Sequence, residues 1–419
     1  MSSAVREYEI RCPVHGFIKI SDWERDIIAQ PAFQRLRRIR QLAWTDLVYP
    51  GAMHTRFEHS LGVMHMATLL YDGLVERSRD MLREHLALNE DGIRRHRQLV
   101  RLAALLHDVG HAPFSHAGEE LLPVNAGRTR FRHEHYTAAI VRQCLADVIK
   151  NHRLNTNYGL TADHVASLLE NDSTLGAELL FWRALIDGQL DADRMDYLLR
   201  DSIHAGVAYG RYDWRRVVNS VVAVPDEEGG APRVGVNEGG WHAVEALVLA
   251  RYAMFTQVYF HKTRVAYDLH LEQALADLLP GGLFPEPAAI QEYLKWDDWR
   301  VLGLLAGGGG GEHGARLRSR DHFREIRHTP EVPLQKDLEQ LERWRSALAD
   351  LLAGERLAEK SWYRPGTADI PVVTEDRRSL AIPLSQLSAV VRNIGGIRQV
   401  RLYVRREDRD RAEACLGRE

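Results

Sequence analysis

The sequence predicts a mainly helical protein with a β-hairpin insertion and a smaller α+β C-terminal region. Three observations predict it. Apolar residues recur at helical spacing through most of residues 21–279, as Val63, Ala67, Leu70 and Leu74 do. One stretch, VVNSVVAVPDEEGGAPRVGVN, breaks that pattern with two β-branched runs around a Pro/Gly/acidic turn. Beyond PGGLFPEP, near residue 280, strand-like and helix-like runs alternate. At 419 residues the chain is too long for one ordinary core, so two units are expected, 1–280 and 281–419.

The elements follow in order. SDWE is a capping box, with Ser21 as N-cap and Glu24 three residues on. Pro31 suits the first turn of the next helix, AFQRLRRIRQL. A helix from about Thr55 to Arg79 carries the apolar stripe, and His59, four residues before Val63, shares its inward face. The run from Leu99 to Leu106 is apolar nearly all round apart from Arg101, which predicts a helix in the protein centre. Gly110 is expected to stop it. Helices are expected from about Glu134 to Lys150, from about Asp191 to Ile203, and unbroken from Trp241 to Leu279. The run AGGGGGE, 306–312, reads as a flexible loop. In the tail, IPVVT and RQVRLYV read as strands and PLSQLSAVVRNI as a helix.

Composition narrows the function. The chain is 45% hydrophobic and 27% charged, as soluble globular proteins are. A net charge of −3 sets up no field that would gather nucleic acid or an anionic membrane, so nucleic-acid binding is expected to be weak at most. No apolar run approaches the ~18 residues that span a bilayer, and MSSAVREYEI is not a secretory leader. Cys12, Cys144 and Cys415 lie far apart, which fits a reducing compartment and a cytoplasmic protein. Cys12 and His15 in RCPVHG have no second pair after them, so a loop is expected there rather than half a zinc site.

The chemistry gathers where the 20 histidines bunch, between residues 54 and 135. His107 and Asp108 end the buried helix. A carboxylate there must be paired or coordinated, because burying it alone costs several kcal/mol. The helix C-terminus also carries partial negative charge, which suits a cation. A divalent metal meets both demands, and His59 brings a second imidazole from another helix. In LDADRMDYLLRD, Asp193, Tyr197 and Asp201 follow at four-residue steps on one helix face. Two His and two Asp make a mixed nitrogen and oxygen shell, suited to Fe, Mn, Co, Ni or Zn, with Mg also open.

The segments TRFEHSLG, HDVGHAPFSH and DADRMDY, in that order, together with FRHEH and YFHK, carry a resemblance. Over residues 13 to about 270 the chain resembles the HD-domain phosphohydrolases, and within them the deoxynucleoside triphosphate triphosphohydrolases. The resemblance implies an HD-domain helical core and hydrolysis of a dNTP to deoxynucleoside and triphosphate by a homo-oligomer, dimer or tetramer. It implies that His59, His107, Asp108 and Asp193 hold the metal, with Asp191 the near alternative to Asp193. His111, His116 and His133 would surround the phosphates. Glu119, where the family carries Asp, would orient a histidine. Arg56, Arg194, Arg251 and Lys262 would grip the triphosphate, Arg194 standing where the family has Lys. Gln41, Leu42, Tyr197, Asp201 and Tyr259 would form a sugar pocket with no room for a ribose 2′-hydroxyl. The basic run RLRRIR (Arg35, Arg37, Arg38, Arg40) reads either as a solvated helix face or, by resemblance, as an inter-subunit nucleotide site. Ala29 and Tyr8 replace the Asp and Lys of guanine-activated members, so guanine-specific activation is not expected. The rival readings are an HD phosphatase or phosphodiesterase for other nucleotides, and a nucleotide-binding regulator.

Overall fold

The computed structural model describes residues 6–170, 176–226, 232–363, 369–374 and 381–417. The chain opens with a hairpin, β1 (Glu7–Cys12) and β2 (Gly16–Ser21), then α1 (Asp22–Ile28) and the short α2 (Pro31–Gln34). The helical centre is α3 (Arg56–Leu86), α4 (Glu90–Leu106), α5 (His116–Glu119), α6 (His133–Cys144), α7 (Ala146–Lys150), α8 (Ala162–Glu170), α9 (Ala177–Arg183), α10 (Ala192–Ala205) and α11 (Trp214–Val218). A second hairpin, β3 (Val221–Val224) and β4 (Arg233–Asn237), leads into α12 (Trp241–Met254) and α13 (Lys262–Leu278). Beyond them come α14 (Ile290–Tyr293), α15 (Asp298–Ala306), α16 (Gly311–Ser319), β5 (Arg324–His328), α17 (Gln335–Leu348), β6 (Leu352–Lys360), β7 (Pro371–Val373) and β8 (Ala381–Pro383). The last elements are α18 (Leu384–Leu387), α19 (Ala389–Asn393), β9 (Ile397–Val404) and α20 (Arg409–Leu416). The strands form a four-stranded sheet, β3-β4-β7-β8, and a three-stranded sheet, β5-β9-β6.

The local signals act as their chemistry dictates. Ser21 and Glu24 close a capping box on α1, and Thr55 and Glu58 close another on α3, setting His59 one turn inside. α4 is buried over its C-terminal half, and its one charge there is paired. Arg101 Nε donates to Glu24 Oε1 at 2.6 Å and its η-nitrogen to Oε2 at 2.7 Å, while Thr68 Oγ1 takes a further bond at 2.7 Å. A bidentate fork of this kind is what lets an arginine sit inside an apolar helix pair.

Several expectations change. AFQRLRRIRQL is not one helix: α2 ends at Gln34 and Arg35–Arg38 form a single 3-10 turn. That turn docks on the C-terminal region. Arg35 Nε donates to Trp296 O at 2.9 Å, Arg38 pairs with Asp297, and the Arg40 amide donates to Asp298 Oδ2 at 2.8 Å. Arg35, Arg38 and Arg40 are therefore tied to the C-terminal region, while Arg37 is exposed. α4 stops at Leu106, before Gly110. A Cβ on Gly110 would lie 2.2 Å from Thr137 N, so its place is set by close packing of the turn on α6. The expected 134–150 helix breaks at Leu145. The long helix of 241–279 is interrupted by a π turn at Phe255–Tyr259, which re-aims Tyr259. The glycine run is not a loose loop but a tight turn between α15 and α16, with Gly308, Gly310 and Gly311 at positive φ. The PLSQLSAVVRNI helix splits at Ser388. The turn of the predicted hairpin, at 227–231, falls outside the described residues.

One buried cluster runs through both sides of residue 280, from Cys12 to Tyr403, including Phe284, Tyr293, Trp296 and Val301. A smaller cluster of Ile326, Leu341, Leu348, Val400, Leu402, Val404, Ala412 and Leu416 backs the three-stranded sheet. Among the described residues, no helix is long and apolar enough to cross a membrane.

Candidate active site

The site is built where α3, the end of α4 and α10 meet. The His59 ring is fully buried, and its Nδ1 lies 2.8 Å from Asp196 Oδ2. That contact turns Nε2 toward Asp193 Oδ1 at 3.0 Å and Asp108 Oδ2 at 3.5 Å. Asp196 is itself held by Arg200, at 2.8 Å to each oxygen, and by His15 Nε2 at 2.6 Å. At the end of α4, His107 Nδ1 meets Ala104 O at 2.9 Å, leaving Nε2 to face Asp108 Oδ1 at 3.3 Å and Asp193 Oδ1 at 3.7 Å. The Nε2 atoms of both histidines are buried with no hydrogen-bond partner among the described residues. Two imidazoles whose Nδ1 atoms are engaged and whose Nε2 atoms converge on carboxylates are a metal donor set. His59, His107 and Asp108 lie close enough together to hold one ion, and the donor chemistry fits a divalent metal of open identity. Burial works against charge on Asp108, but Arg56, His107 and His111 hold its carboxyl well below the usual range. Asp193 is likewise held low, burial being outweighed by His107 and His59. Asp191 stands apart, capping α10 through the Arg194 amide at 2.7 Å and pairing with the Arg194 guanidinium.

Gly62 makes the Asp196 contact possible. A Cβ there would sit 1.9 Å from Asp196 Oδ1 and 2.4 Å from an Arg200 η-nitrogen. Gly62→Ala is therefore expected to push Asp196 off His59 and weaken metal affinity about 10- to 100-fold, with overpacking costing about 1–3 kcal/mol. A metal titration beside a thermal melt checks this; unchanged affinity would remove Asp196 from the role of orienting His59.

A second cluster adjoins the first. His111 and His133 stack at 3.8 Å between ring centroids, and His116 stands 5.1 Å from His111. Glu119 is their hub, at 3.1 Å from His111 Nδ1, 3.4 Å from His116 Nδ1 and 2.9 Å from His133 Nδ1. It is not a solvent-facing helix residue. Burial would raise its pKa, but His116, His111 and His133 hold it far below the carboxylate range. The two stacked rings are shifted in opposite directions. Burial, Arg56 and His133 push His111 down to about 4, whereas Glu119 raises His133 against the effect of burial. Of the two rings, His111 is the one held neutral and His133 the one on which charge is favoured.

The substrate residues expected from sequence fall into three places. Tyr259 Oη donates to Asp201 Oδ2 at 2.6 Å, with the Tyr197 ring 6.1 Å away, and His54 Nε2 meets Asp201 Oδ1 at 2.7 Å. Leu42 is buried nearby in sequence to Gln41, whose Oε1 is buried without a partner among the described residues. Arg194 and Arg251 press on each other and on Tyr197. Three of the four expected phosphate cations already have internal partners, Arg56 on Asp108, Arg194 on Asp191 and Arg251 on Trp362 O. Lys262 is exposed and lines a pocket of about 110 Å³ with Thr263, His322, Phe323, Arg324, Glu325 and Arg409. Lys360, at the end of β6, approaches Arg251 and Arg194. Burial and those two charges push its pKa down, and it forms no ion pair among the described residues. Sequence reasoning missed Lys360, His54, His15, Asp196 and Ser115. Only Asp196 had a local signal, as the next acid on the Asp193 helix.

These features define a class: a metal-dependent HD-domain phosphohydrolase. The HD domain family matches residues 56–201. The uncharacterized protein YwfO of Bacillus subtilis is 30% identical over 422 residues, covering 92% of this chain and 89% of that one. A crystal structure of a hypothetical protein from Aquifex aeolicus superposes with a TM-score of 0.80 at 28% identity, covering 98% of this chain and 100% of that one. The deoxynucleoside triphosphate triphosphohydrolase SAMHD1 homolog of Dictyostelium discoideum is 28% identical over 63% of this chain and 48% of its own length, so this chain spans about half of that relative. The chain belongs to the HD-domain family.

Proposed function

We propose that the protein hydrolyses a deoxynucleoside triphosphate to deoxynucleoside and intact triphosphate. The observation that supports this most is the Tyr259–Asp201 pair beside Tyr197, set between the candidate metal ligands and the cations Arg194, Arg251 and Lys360. A sugar seated against two tyrosines, with its 3′-hydroxyl available to Asp201, would leave the phosphates to the cations. Three mutually repelling cations gain most from an anion of high charge.

In this reading His59, His107, Asp108 and Asp193 hold the divalent metal. When bound, it supplies Lewis-acid polarisation of a phosphoryl oxygen and a water of lowered pKa. The chain's own residues do the rest. Arg56, fixed between Ser115 Oγ at 2.7 Å and Asp108, offers its remaining donors to a phosphate. His133, kept protonated by Glu119, adds positive charge beside the reacting group. His116, whose side chain is 69% exposed, is free to reach a leaving oxygen and protonate it. A sugar 5′-oxygen leaves poorly without that proton. Neutral His111 carries the Glu119 network to the Asp108 carboxylate. Residues 1–280 carry the metal and histidine clusters, and 281–419, a second unit, adds Lys360. The working form in this reading is a cytoplasmic homo-oligomer.

The products decide. Chromatography after incubation with dATP or dGTP, with added Mn or Fe, is expected to give deoxynucleoside and triphosphate, with label from isotopic water in the triphosphate. Deoxynucleoside diphosphate with orthophosphate, or monophosphate with pyrophosphate, would point instead to an HD phosphohydrolase of another type. Tight nucleotide binding without turnover would point to a regulator.

A further inference from the structure

The loop between His111 and His116 carries two adjacent non-glycine residues at positive φ, Phe114 at 57° and Ser115 at 58°. A bulky residue in that region is strained, and such strain persists only when its surroundings hold it. Part of the hold is apolar: the Phe114 ring stacks on Trp44 at 5.0 Å and 11°. The polar part comes from 184 residues away. Asp298, the first residue of α15, is 1% exposed, and its Oδ1 accepts the Phe114 amide at 2.8 Å. Its Oδ2 accepts the Arg40 amide, also at 2.8 Å. The ring of contacts then closes: Ser115 Oγ donates to Arg40 O at 2.6 Å and accepts from Arg56 Nε at 2.7 Å. The other arm of Arg56 pairs with Asp108.

We infer that Asp298 is a positioning residue for the site, holding the strained Phe114–Ser115 turn so that His116 and Arg56 keep their places. Its activity arm rests on the proposed phosphohydrolase reading; its structural arm does not. The chemistry requires a carboxylate. Both partners are backbone N–H donors on separate segments, and only a side chain with two acceptor oxygens answers both. Asparagine of the same shape keeps one acceptor and turns an NH₂ donor against the other amide. A group kept only for stability would be a poor choice here, because burial pushes the Asp298 carboxyl up to about 7 despite the two amides and Arg40. Neighbouring Asp297 provides a control. It pairs with Arg38 and caps α15 through the Arg300 amide at 2.9 Å, and it touches neither loop amide.

Asp298→Asn and Asp297→Asn, each loaded with metal, are compared with wild type by amide hydrogen exchange, metal content, melting at pH 8 and steady-state kinetics. For Asp298→Asn we expect faster exchange confined to the 111–119 segment, unchanged metal content, a drop in melting temperature of a few degrees, and kcat/KM lowered about 10- to 100-fold. Asp297→Asn is expected to keep wild-type exchange in that segment and wild-type kcat/KM. Wild-type exchange at 111–119 in a folded Asp298→Asn overturns the inference, as does a loss of melting temperature with normal kcat/KM. Should Asp298→Asn fail to fold, wild type still decides. Its Phe114 and Arg40 amides must be among the slowly exchanging ones, and fast exchange at Phe114 overturns the anchor. If wild type turns over no nucleotide, the functional reading fails, and the exchange data alone judge Asp298.

Discussion

His107→Ala and Asp108→Ala are expected to purify without metal and without phosphohydrolase activity. Each removes one donor from a set whose members were brought together from α3, the end of α4 and α10. For His107 the reason is geometric. Its Nδ1 is committed to Ala104 O, so Nε2 is the only free nitrogen facing Asp108 and Asp193. For Asp108 the reason is also electrostatic. The carboxylate is 3% exposed and faces Arg56, His59, His107 and His111. Removing it leaves Arg56 buried without its ion-pair partner, a change that typically destabilises by about 3–5 kcal/mol. Asp108→Ala should therefore melt lower than His107→Ala, though both lose the ion. Elemental analysis of protein purified without chelator is the direct measurement. Metal content equal to wild type in both variants would show the ion to be held elsewhere.

The second large effect separates proton handling from metal binding. His133→Ala and Glu119→Gln are expected to keep wild-type metal content while kcat falls by ~10²–10⁴, because the positive charge beside the acid His116, or the carboxylate that favours it, is gone. The pH profile adds a sign. The folded-state pKa of His133 is raised because Glu119 holds its proton against burial. The active, protonated form is thus complete at low pH and is lost as pH rises through that raised value. Glu119→Gln removes the stabilising charge, so the alkaline limb of kcat should move to lower pH. His111, pushed down to about 4, stays neutral across the same range and contributes no limb there. A wild-type alkaline limb in Glu119→Gln would show that the charge on His133 does not set that limb. His116→Ala should match the loss in kcat but leave that limb in place, since His133 and Glu119 are intact.

What the sequence determined by itself is mostly local. The capping boxes at Ser21 and Thr55, the apolar stripe of α3 and the buried end of α4 follow from residues within one or two turns of each other. Those elements alone place His59 inward and His107 and Asp108 at a helix terminus, so the metal donors were legible. Helix ends and breaks were less so, because whether a polar or aromatic residue continues a helix depends on what meets its side chain. Tyr259 is turned by a π segment toward Asp201, 58 residues away, and no local preference records that partner.

Only the tertiary structure decided who orients, neutralises and supports the site. Asp196 lies 137 residues from His59, and Gly62 is needed to admit it. The RLRRIR run reads as surface because its residues are charged, yet Arg35, Arg38 and Arg40 close on Trp296, Asp297 and Asp298, about 260 residues on. Lys360, in no motif, stands beside Arg194 and Arg251. The physical reason is common to all of these. A hydrophobic period announces which face turns inward, since burial of apolar surface is non-directional and sums along the helix. A hydrogen bond or ion pair is directional and short-ranged, so its partner is set by where the packed elements finally put two particular atoms.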